Sequence, residues 1–548
     1  MKNKFFIILI LVLTFFLRVW GMGYGLPHFL VGDEQSQVAG ALRMAELKTL
    51  IPALHPEEFQ LLYYPPLMSY LYLIYLTPLV LIKYFLGGFG SFTDFKNYLV
   101  INPAFLWLAA RFLITLIGTA SVYLIYLVGR KIFNKRSGIL ASLFLATSFF
   151  HLELSHFTRH WLPACFLTLL LVYLAWQIWQ DKDKKYFVLS GAVAGLAFGI
   201  TYVTAIAFLL PVFAYFFLGE GKFSQKIKNK NFWLMIGIFL LIAFIFIALY
   251  PQEFLKLTIG EDAGVKGVKN IIDYFGSFFY YFLNLLYFEP VILFFSLTGI
   301  VLLFLKAKEK LIFLLFFPFV YISLFYFLLH HEVRYTLPLL PFLILLASYG
   351  IDYLLNFLKS ELAKTLIVLI VLVYPLSVGL KFDFLLSQKD TRLLALDWLG
   401  ENISPNSKII ADLQQVKIMP TKEAIKLQES LAPTSLRTID RTLLDLSPSK
   451  YPKPAYDVLD LHYLNKVLPE SMFTYASENS YQYFIVSYWQ KGELTNQDLN
   501  LISSGQLIKK FTSTASDDTY DFNGNYQGPA WVLFQMKNLG PIVEIYKL

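Results

Sequence analysis

The fold class that this 548-residue sequence predicts is a polytopic α-helical membrane protein with a small soluble α/β or α+β domain at its C-terminal end. Three observations predict it. The chain is 57% hydrophobic and 15% charged, with a mean hydropathy of +0.57, where ordinary globular chains carry about 25% charge. Uncharged apolar runs of membrane-spanning length recur, separated by short basic clusters. The charge is also divided. Residues 383–548 hold 16 basic and 19 acidic residues, whereas the first 382 hold 30 and 19. The pI of 9.0 therefore comes from the apolar part, and its basic residues mark topology rather than a nucleic-acid partner. The single cysteine, Cys165, lies inside an apolar run, so neither a disulfide framework nor a thiolate metal site is available.

The first run, Phe5–Trp20, is expected to remain as a signal anchor because no small-residue cleavage site follows it cleanly. Basic clusters at Lys2/Lys4, 129–136, 181–185, 222–230, 306–310 and 359–364, set on the cytoplasmic side, put 18 of the 30 basic residues inside. An even number of crossings must then separate successive clusters. Between Lys4 and Gly129 lie three apolar runs. The middle one, "LLYYPPLMSYLYLIYLTPLVLIKYF", contains Pro65, Pro66 and Pro78 and is expected to be re-entrant or interfacial, since proline frees backbone groups that lipid cannot satisfy. That makes 21–103 one long outer loop. The 33 uncharged residues of 186–218 would form a helix of about 50 Å against a core of about 30 Å. They are expected to be a hairpin turning near 199–204. With spans at about 104–128, 139–154, 162–180, 232–250, 289–305, 311–329, 336–356 and 365–382, the expectation is about eleven crossings. The N-terminus is then cytoplasmic, and a 1–382 membrane domain is followed by a 383–548 outer domain. In that tail "TRLLALDWLGENI" has helical spacing, while "SKIIAD", "YQYFIVSYW", "GPAWVLFQMK" and "PIVEIYKL" read as short strands.

On this topology polar residues collect at the outer ends of the spans. Arg18 closes the first, and Asp33 and Glu34 follow in "LVGDEQSQ". Tyr64 stands in "YYPP" and Arg111 opens the next span. "HLELSHFTRHW" contributes His151, Glu153, His156, Arg159 and His160, and "HHEVRY" contributes His330, His331, Glu332, Arg334 and Tyr335. Five of the eight histidines fall in these last two loops. Each group has a plain reading. Asp33 could cap a helix over 34–48, with Glu34 favourable in its first turn, and this stands level with a catalytic reading. Arg18 and Arg111 could snorkel to headgroups. The histidines could be solvated loop residues, since "HHE" lacks the i,i+4 spacing of a helical metal site. What favours chemistry is convergence: an acidic pair and several cations at one membrane depth suit an anionic lipid phosphate beside a group that must lose a proton.

These stretches together ("LRVWGMGYGLPHFLVGDEQSQVAGALR", "YYPPLMSYL", "AARFLITLIGTASVYLIYLVGRKIF", "HHEVRYTLPLLPFLILLASYGI" and the tail's "ALDWLGENISPNSKIIAD") resemble the C-type, multi-spanning glycosyltransferases. The branch they resemble is that of the bacterial protein O-mannosyltransferases and aminoarabinose transferases. The resemblance implies a polyprenyl-phosphate sugar as donor, a protein, lipid or glycan acceptor, an inner-membrane location and an acidic general base in the first outer loop. That base is Asp33, with Glu34 as its catalytic neighbour. It further implies cations that hold the lipid phosphate, Arg334 first, then Arg18, Arg111 and Arg159. Tyr64 stands where many relatives have His or Lys. Glu153, His156, His160, His330, His331, Glu332 and Tyr335 are then candidates for contacting substrate. No cofactor is implied with certainty, and a divalent metal is left open. A single displacement would invert the sugar. A transporter of lipid-linked substrate is the main alternative, but it should carry charges near the bilayer midplane, where these spans are almost clean. A non-catalytic assembly protein would leave Asp33 with only a capping role.

Overall fold

The computed structural model describes residues 2–60, 62–258, 271–325, 333–432, 436–464, 472–521 and 529–548. They form two compact units. One comprises 1–22, 32–80 and 107–383, the other 23–31, 81–106 and 384–548.

The first unit is helical, and the chain is a multi-pass membrane protein. Among the described residues, five helical stretches can cross a membrane by length and composition: Leu67–Leu86, Ala104–Ile132, Trp161–Gln180, Lys230–Leu249 and Glu361–Asn402. A sixth is available if the pair Phe278–Phe288 and Pro290–Lys306, bent by 111° at Glu289–Pro290, is one span. Shorter apolar helices include Phe5–Val19, Tyr202–Leu218 and Leu340–Leu355. The expected hairpin is there: Lys184–Ile200 ends at extended Thr201, and a 3₁₀ helix starts at Tyr202. The run 62–86 is helical, as expected, but Pro78 does not break it. It is one continuous 20-residue helix, Leu67–Leu86, that accommodates Pro78. Pro65 and Pro66 precede its first turn, where proline's missing N–H leaves no helical bond unmade. The run 139–154 is two helices, Lys135–Thr147 and Phe149–Leu154, broken at extended Ser148.

Helices Pro290–Lys306 and Leu340–Leu355 meet at glycines. A Cβ at Gly299 would collide with the Leu346 carbonyl, and one at Gly350 with the Phe295 carbonyl. Small residues let helix backbones approach this closely where lipid offers no hydrophobic drive for association. Asp352, near the end of the second helix, accepts from Asn134 Nδ2 at 2.6 Å, from Ser137 Oγ at 3.0 Å and from Arg136. This ties Leu340–Leu355 to the start of Lys135–Thr147.

The second unit is built on a five-stranded sheet of order β2-β1-β3-β5-β4. The strands are β1 Lys408–Ala411, β2 Asp457–Asp460, β3 Tyr483–Tyr488, β4 Gln506–Phe511 and β5 Ile542–Lys547. β1 runs parallel to both β2 and β3, and β5 is antiparallel to β3 and β4. Alternation sends Ile409 to one face and Ile410 to the other. Ile409, Val458, Val543 and Ile545 pack with Ala395, Leu399 and Ile403 of helix Thr391–Asn402. Ile410, Leu459, Phe484 and Tyr546 pack on the opposite face with Ala476 and Leu501. Helices on both faces make this an α/β layer. One expected strand is corrected: "GPAWVLFQMK" contains a short helix, Trp531–Gln535, rather than a strand. β2 and β4 were not anticipated.

Candidate active site

The acidic pair is split by the backbone. Helix Gln35–Leu47 begins after Glu34, which holds its N-cap position without capping it. Asp33 precedes it with φ 59°, the left-handed region that Asp tolerates better than most residues. Neither acid bonds to the helix that follows, so the capping reading fails for both.

Glu34 turns inward. Its carboxylate accepts both arms of Arg111 at 2.6 Å, from Nε and from Nη2, and both side chains are wholly buried. Oε1 also accepts from the Thr158 amide at 3.2 Å, while Thr158 Oγ1 donates to the Glu34 carbonyl at 2.6 Å. Arg111 Nη1 donates to the Met22 carbonyl at 2.6 Å. A bidentate Arg–carboxylate pair of this kind fixes orientation as well as charge.

Asp33 turns outward, with its side chain 46% exposed. Arg334, on the short 3₁₀ helix Val333–Thr336, donates from Nη1 to Asp33 Oδ2 at 2.9 Å. Arg159 Nη2 donates to the Gly32 carbonyl at 2.5 Å. Burial pushes the Asp33 carboxyl up, but the guanidiniums of Arg334 and Arg159 outweigh it and hold the group below the usual carboxylate value. Beside this cluster His160 lies against Tyr64 with ring centroids 3.9 Å apart and against Trp161 at 4.4 Å, and Trp161 meets Tyr335 edge-on at 5.0 Å. Burial, then Arg334 and Arg159, drive the His160 pKa well down, so the ring is neutral.

Among the sequence-expected residues, the structure thus brings together Asp33, Arg334, Arg159, Tyr64, His160 and Tyr335. Others are engaged elsewhere. Arg18, wholly buried, donates to the carbonyls of Thr14, Ala146 and Leu145 and to Ser155 Oγ, and lies 2.7 Å from His151 Nδ1. It is not turned to the surface as a snorkelling or phosphate-binding residue. Arg111 likewise gives its fork to Glu34, leaving neither arginine the open face that a lipid phosphate needs. His156 is buried with its ring nitrogens 2.9 Å from the Leu152 carbonyl and 3.0 Å from the Trp20 carbonyl. Glu153 is buried at the end of helix Phe149–Leu154. His330, His331 and Glu332 lie outside the described residues.

Residues 103–249 match the sequence profile of the dolichyl-phosphate-mannose-protein mannosyltransferase family. No curated protein sequence matches the chain. Among solved structures, ArnT from Cupriavidus metallidurans bound to undecaprenyl phosphate is similar at 12% identity and TM-score 0.47, over 99% of this chain and 97% of that one. The oligosaccharyltransferase AglB from Archaeoglobus fulgidus, in complex with an inhibitory peptide and a dolichol-phosphate, is similar at 13% identity and TM-score 0.44, over 92% and 73%. The same organism's oligosaccharyltransferase in complex with Zn and sulfate is similar at 15% and 0.40, over 83% and 65%. The chain thus spans just under two thirds of that last protein's length.

The mannosyltransferase-like segment, 103–249, contains Arg111, Thr158, Arg159 and His160. Sequence reasoning missed Thr158, whose amide and hydroxyl both hold Glu34, and Asp383, which lies 3.3 Å from His156 with both side chains buried. Asp383 carried a signal: it is an isolated acid at the end of an apolar run, and such residues are costly unless partnered. No three His, Cys, Asp or Glu side chains among the described residues come together in a way that could hold a metal ion.

Proposed function

We propose that the protein is a glycosyltransferase that moves a sugar from a polyprenyl-phosphate donor to an acceptor hydroxyl at the outer face of the inner membrane, with Asp33 as general base. The observation that carries this reading is the division of labour in the acidic pair. Glu34 is sealed into a buried ion pair, whereas Asp33 is half-exposed, ionised, and set beside two arginines and an aromatic wall. The match of 103–249 to a dolichyl-phosphate-mannose-dependent family supports the donor class. So do the relatives described with undecaprenyl phosphate and dolichol-phosphate.

In the reaction the acceptor oxygen attacks the anomeric carbon and its proton passes to Asp33. The bond from that carbon to the phosphate oxygen breaks, and polyprenyl phosphate leaves with the extra negative charge. One displacement inverts the configuration. A hydroxyl's pKa lies far above 7, so a positioned carboxylate is needed, while the leaving phosphate needs cationic stabilisation. Arg334 is suited to that because its partner Asp33 is exchangeable: donor phosphate competes for the guanidinium. Releasing Asp33 from Arg334 raises its basicity only when donor is bound. Tyr64, His160 and Tyr335 offer flat faces for the sugar or prenyl chain. No step is routed through a metal ion. The acceptor is a protein, lipid or glycan hydroxyl, with the N-terminus cytoplasmic and the 383–548 domain outside.

The test is to incubate purified protein with labelled polyprenyl-phosphate sugars and measure both transferred sugar and free lipid phosphate. Transfer that Asp33→Asn abolishes supports the reading. Movement of intact donor across vesicle membranes, with no cleavage, would favour a transporter.

A further inference from the structure

Asp33 is held at φ 59°, a left-handed conformation that a residue with a side chain keeps only where its surroundings impose it. The carbonyls on either side of it are both gripped, and by consecutive residues. Arg159 Nη2 donates to the Gly32 carbonyl at 2.5 Å, and Thr158 Oγ1 donates to the Glu34 carbonyl at 2.6 Å. The Gly32 carbonyl lies in the peptide plane that precedes Asp33, so fixing that plane limits φ of Asp33. Glu34 is fixed further, because its carboxylate accepts from Arg111 and from the Thr158 amide. Asp33 is thus one residue strung between two fixed ones. Gly32–Glu34, Arg111 and 155–159 all belong to the helical unit.

The gripping segment is itself held, residue by residue, within that unit. Arg18 Nε donates to Ser155 Oγ at 3.1 Å. The two ring nitrogens of His156 lie 2.9 Å from the Leu152 carbonyl and 3.0 Å from the Trp20 carbonyl. Phe157 presents its ring to the Arg111 guanidinium at 5.3 Å. Residues 155–157 are therefore tied to the end of the first helix, to the turn after it and to helix Ala104–Ile132, and they carry Thr158 and Arg159 to Asp33 on a firm base. Thr158 is wholly buried. A hydroxyl has one proton to give, and Thr158 commits it to the main chain of Glu34.

We propose that Thr158 is a positioning residue: its hydroxyl, with Arg159 beside it, brackets Asp33 and sets where that carboxylate stands. This rests on the reading of Asp33 as base. Thr158 acts through the main chain rather than on substrate. Without its hydroxyl the Glu34 carbonyl loses this grip, and Asp33 is released toward the right-handed or extended backbone that most residues prefer. Because reacting groups must be held to within a fraction of an ångström, a displacement of about 1 Å costs on the order of 10²-fold in rate. Donor affinity, carried by Arg334, is unaffected.

The experiment uses the full-length protein in nanodiscs. Thr158→Val keeps the shape and the amide but loses the hydroxyl, Thr158→Ser keeps the hydroxyl, and both are measured beside Asp33→Asn. Turnover is read with a labelled polyprenyl-phosphate sugar, donor binding with undecaprenyl phosphate, and backbone freedom by hydrogen exchange. Thr158→Val is expected to lose about 10- to 100-fold in kcat, to keep its donor affinity and to exchange faster over 32–36. Thr158→Ser should restore most of the turnover and the slow exchange. Exchange over 32–36 in Thr158→Val identical to the unsubstituted protein would overturn the bracket, whatever the activity. Equal impairment of the Val and Ser variants would overturn the role of the hydroxyl. So would a fall in kcat matched by equal losses of donor binding and of survival on heating. An active Asp33→Asn would instead overturn the reading of Asp33 as base, while the exchange data would still decide the bracket.

Discussion

Replacing Glu34 with Gln removes one charge from an ion pair in which neither side chain is exposed. The glutamine can still accept one arm of Arg111, but it cannot neutralise the guanidinium, and its amide nitrogen would face a donor. Arg111 is then a buried charge without a counter-charge on Glu34, near the Met22 carbonyl at 2.6 Å and the face of Phe157 at 5.3 Å. Breaking a buried pair on one side typically costs about 3–5 kcal/mol, which is roughly a 10²- to 10⁴-fold change in the ratio of folded to unfolded protein. Arg111→Met should cost a similar amount, because it strands the carboxylate. Removing both charges as Glu34→Leu with Arg111→Met should recover most of the loss, since an apolar pair of similar volume avoids the desolvation penalty. The assay is the folded fraction surviving heating in nanodiscs, read by size-exclusion for all four proteins and set beside turnover of the survivors. Glu34→Gln that survives heating like the unsubstituted protein yet has lost its turnover would refute the reasoning. Glu34 would then be the chemical group and Asp33 the accessory one.

Further outcomes are expected. Asp33→Asn should keep most of its stability, because the Asp33 side chain is 46% exposed, though Arg334 is only 11% exposed, and the amide oxygen can still accept from the guanidinium, while turnover falls by ~10²–10⁴; full activity in the transfer assay would return Asp33 to a passive role. Arg334→Ala should weaken donor binding more than Arg334→Lys, which keeps the charge though not the fork, as titration with polyprenyl phosphate would measure. Asp33 is held below the usual carboxylate value, so it is ionised at neutral pH, and kcat/KM should be lost only as the pH falls through that depressed value. In Arg334→Ala the acid limb should move to higher pH, and an unmoved limb would detach Asp33 from the profile. Reporter fusions after residues 135, 225 and 385 should read inside, inside and outside; an external signal at 135 would make Leu67–Leu86 a true crossing.

The apolar helices were legible because lipid demands long uncharged runs. The hairpin over 184–218 was legible because its length exceeds one crossing. That Leu67–Leu86 runs unbroken through Pro78 was not legible, because a helix can lose one hydrogen bond and continue, and sequence alone does not say which prolines interrupt. In the tail β1, β3 and β5 showed themselves by β-branched and aromatic runs. β2, "DVLD", is too short, and β4, "QLIKKF", is an edge strand whose lysines mask it. "GPAWVLFQMK" has strand-like composition, yet its Trp531–Gln535 segment is helical. At the site, the polar loops announced a cluster but not its wiring. Asp33 and Glu34 are adjacent and chemically alike, and only a left-handed φ at the first sends one out and the other in. Arg111 and Arg334 are equally arginine in sequence; the inward turn of Glu34 pairs one with a buried carboxylate and leaves the other facing Asp33.

The glycine contact between Pro290–Lys306 and Leu340–Leu355 has a bearing on engineering. Replacing helical glycines with alanine is a standard route to more robust proteins, since it stiffens the unfolded chain by about 0.4–1 kcal/mol per site. At Gly299 and Gly350 the recipe reverses sign, because the added methyl meets main chain that has no rotamer to yield. Leu340–Leu355 follows directly from the turn bearing Arg334, so a helix wedged outward there would carry the arginine with it. A thermostabilised variant built by surveying glycines would sacrifice activity from the far end of a helix, and the loss would be mistaken for a defect in the pocket.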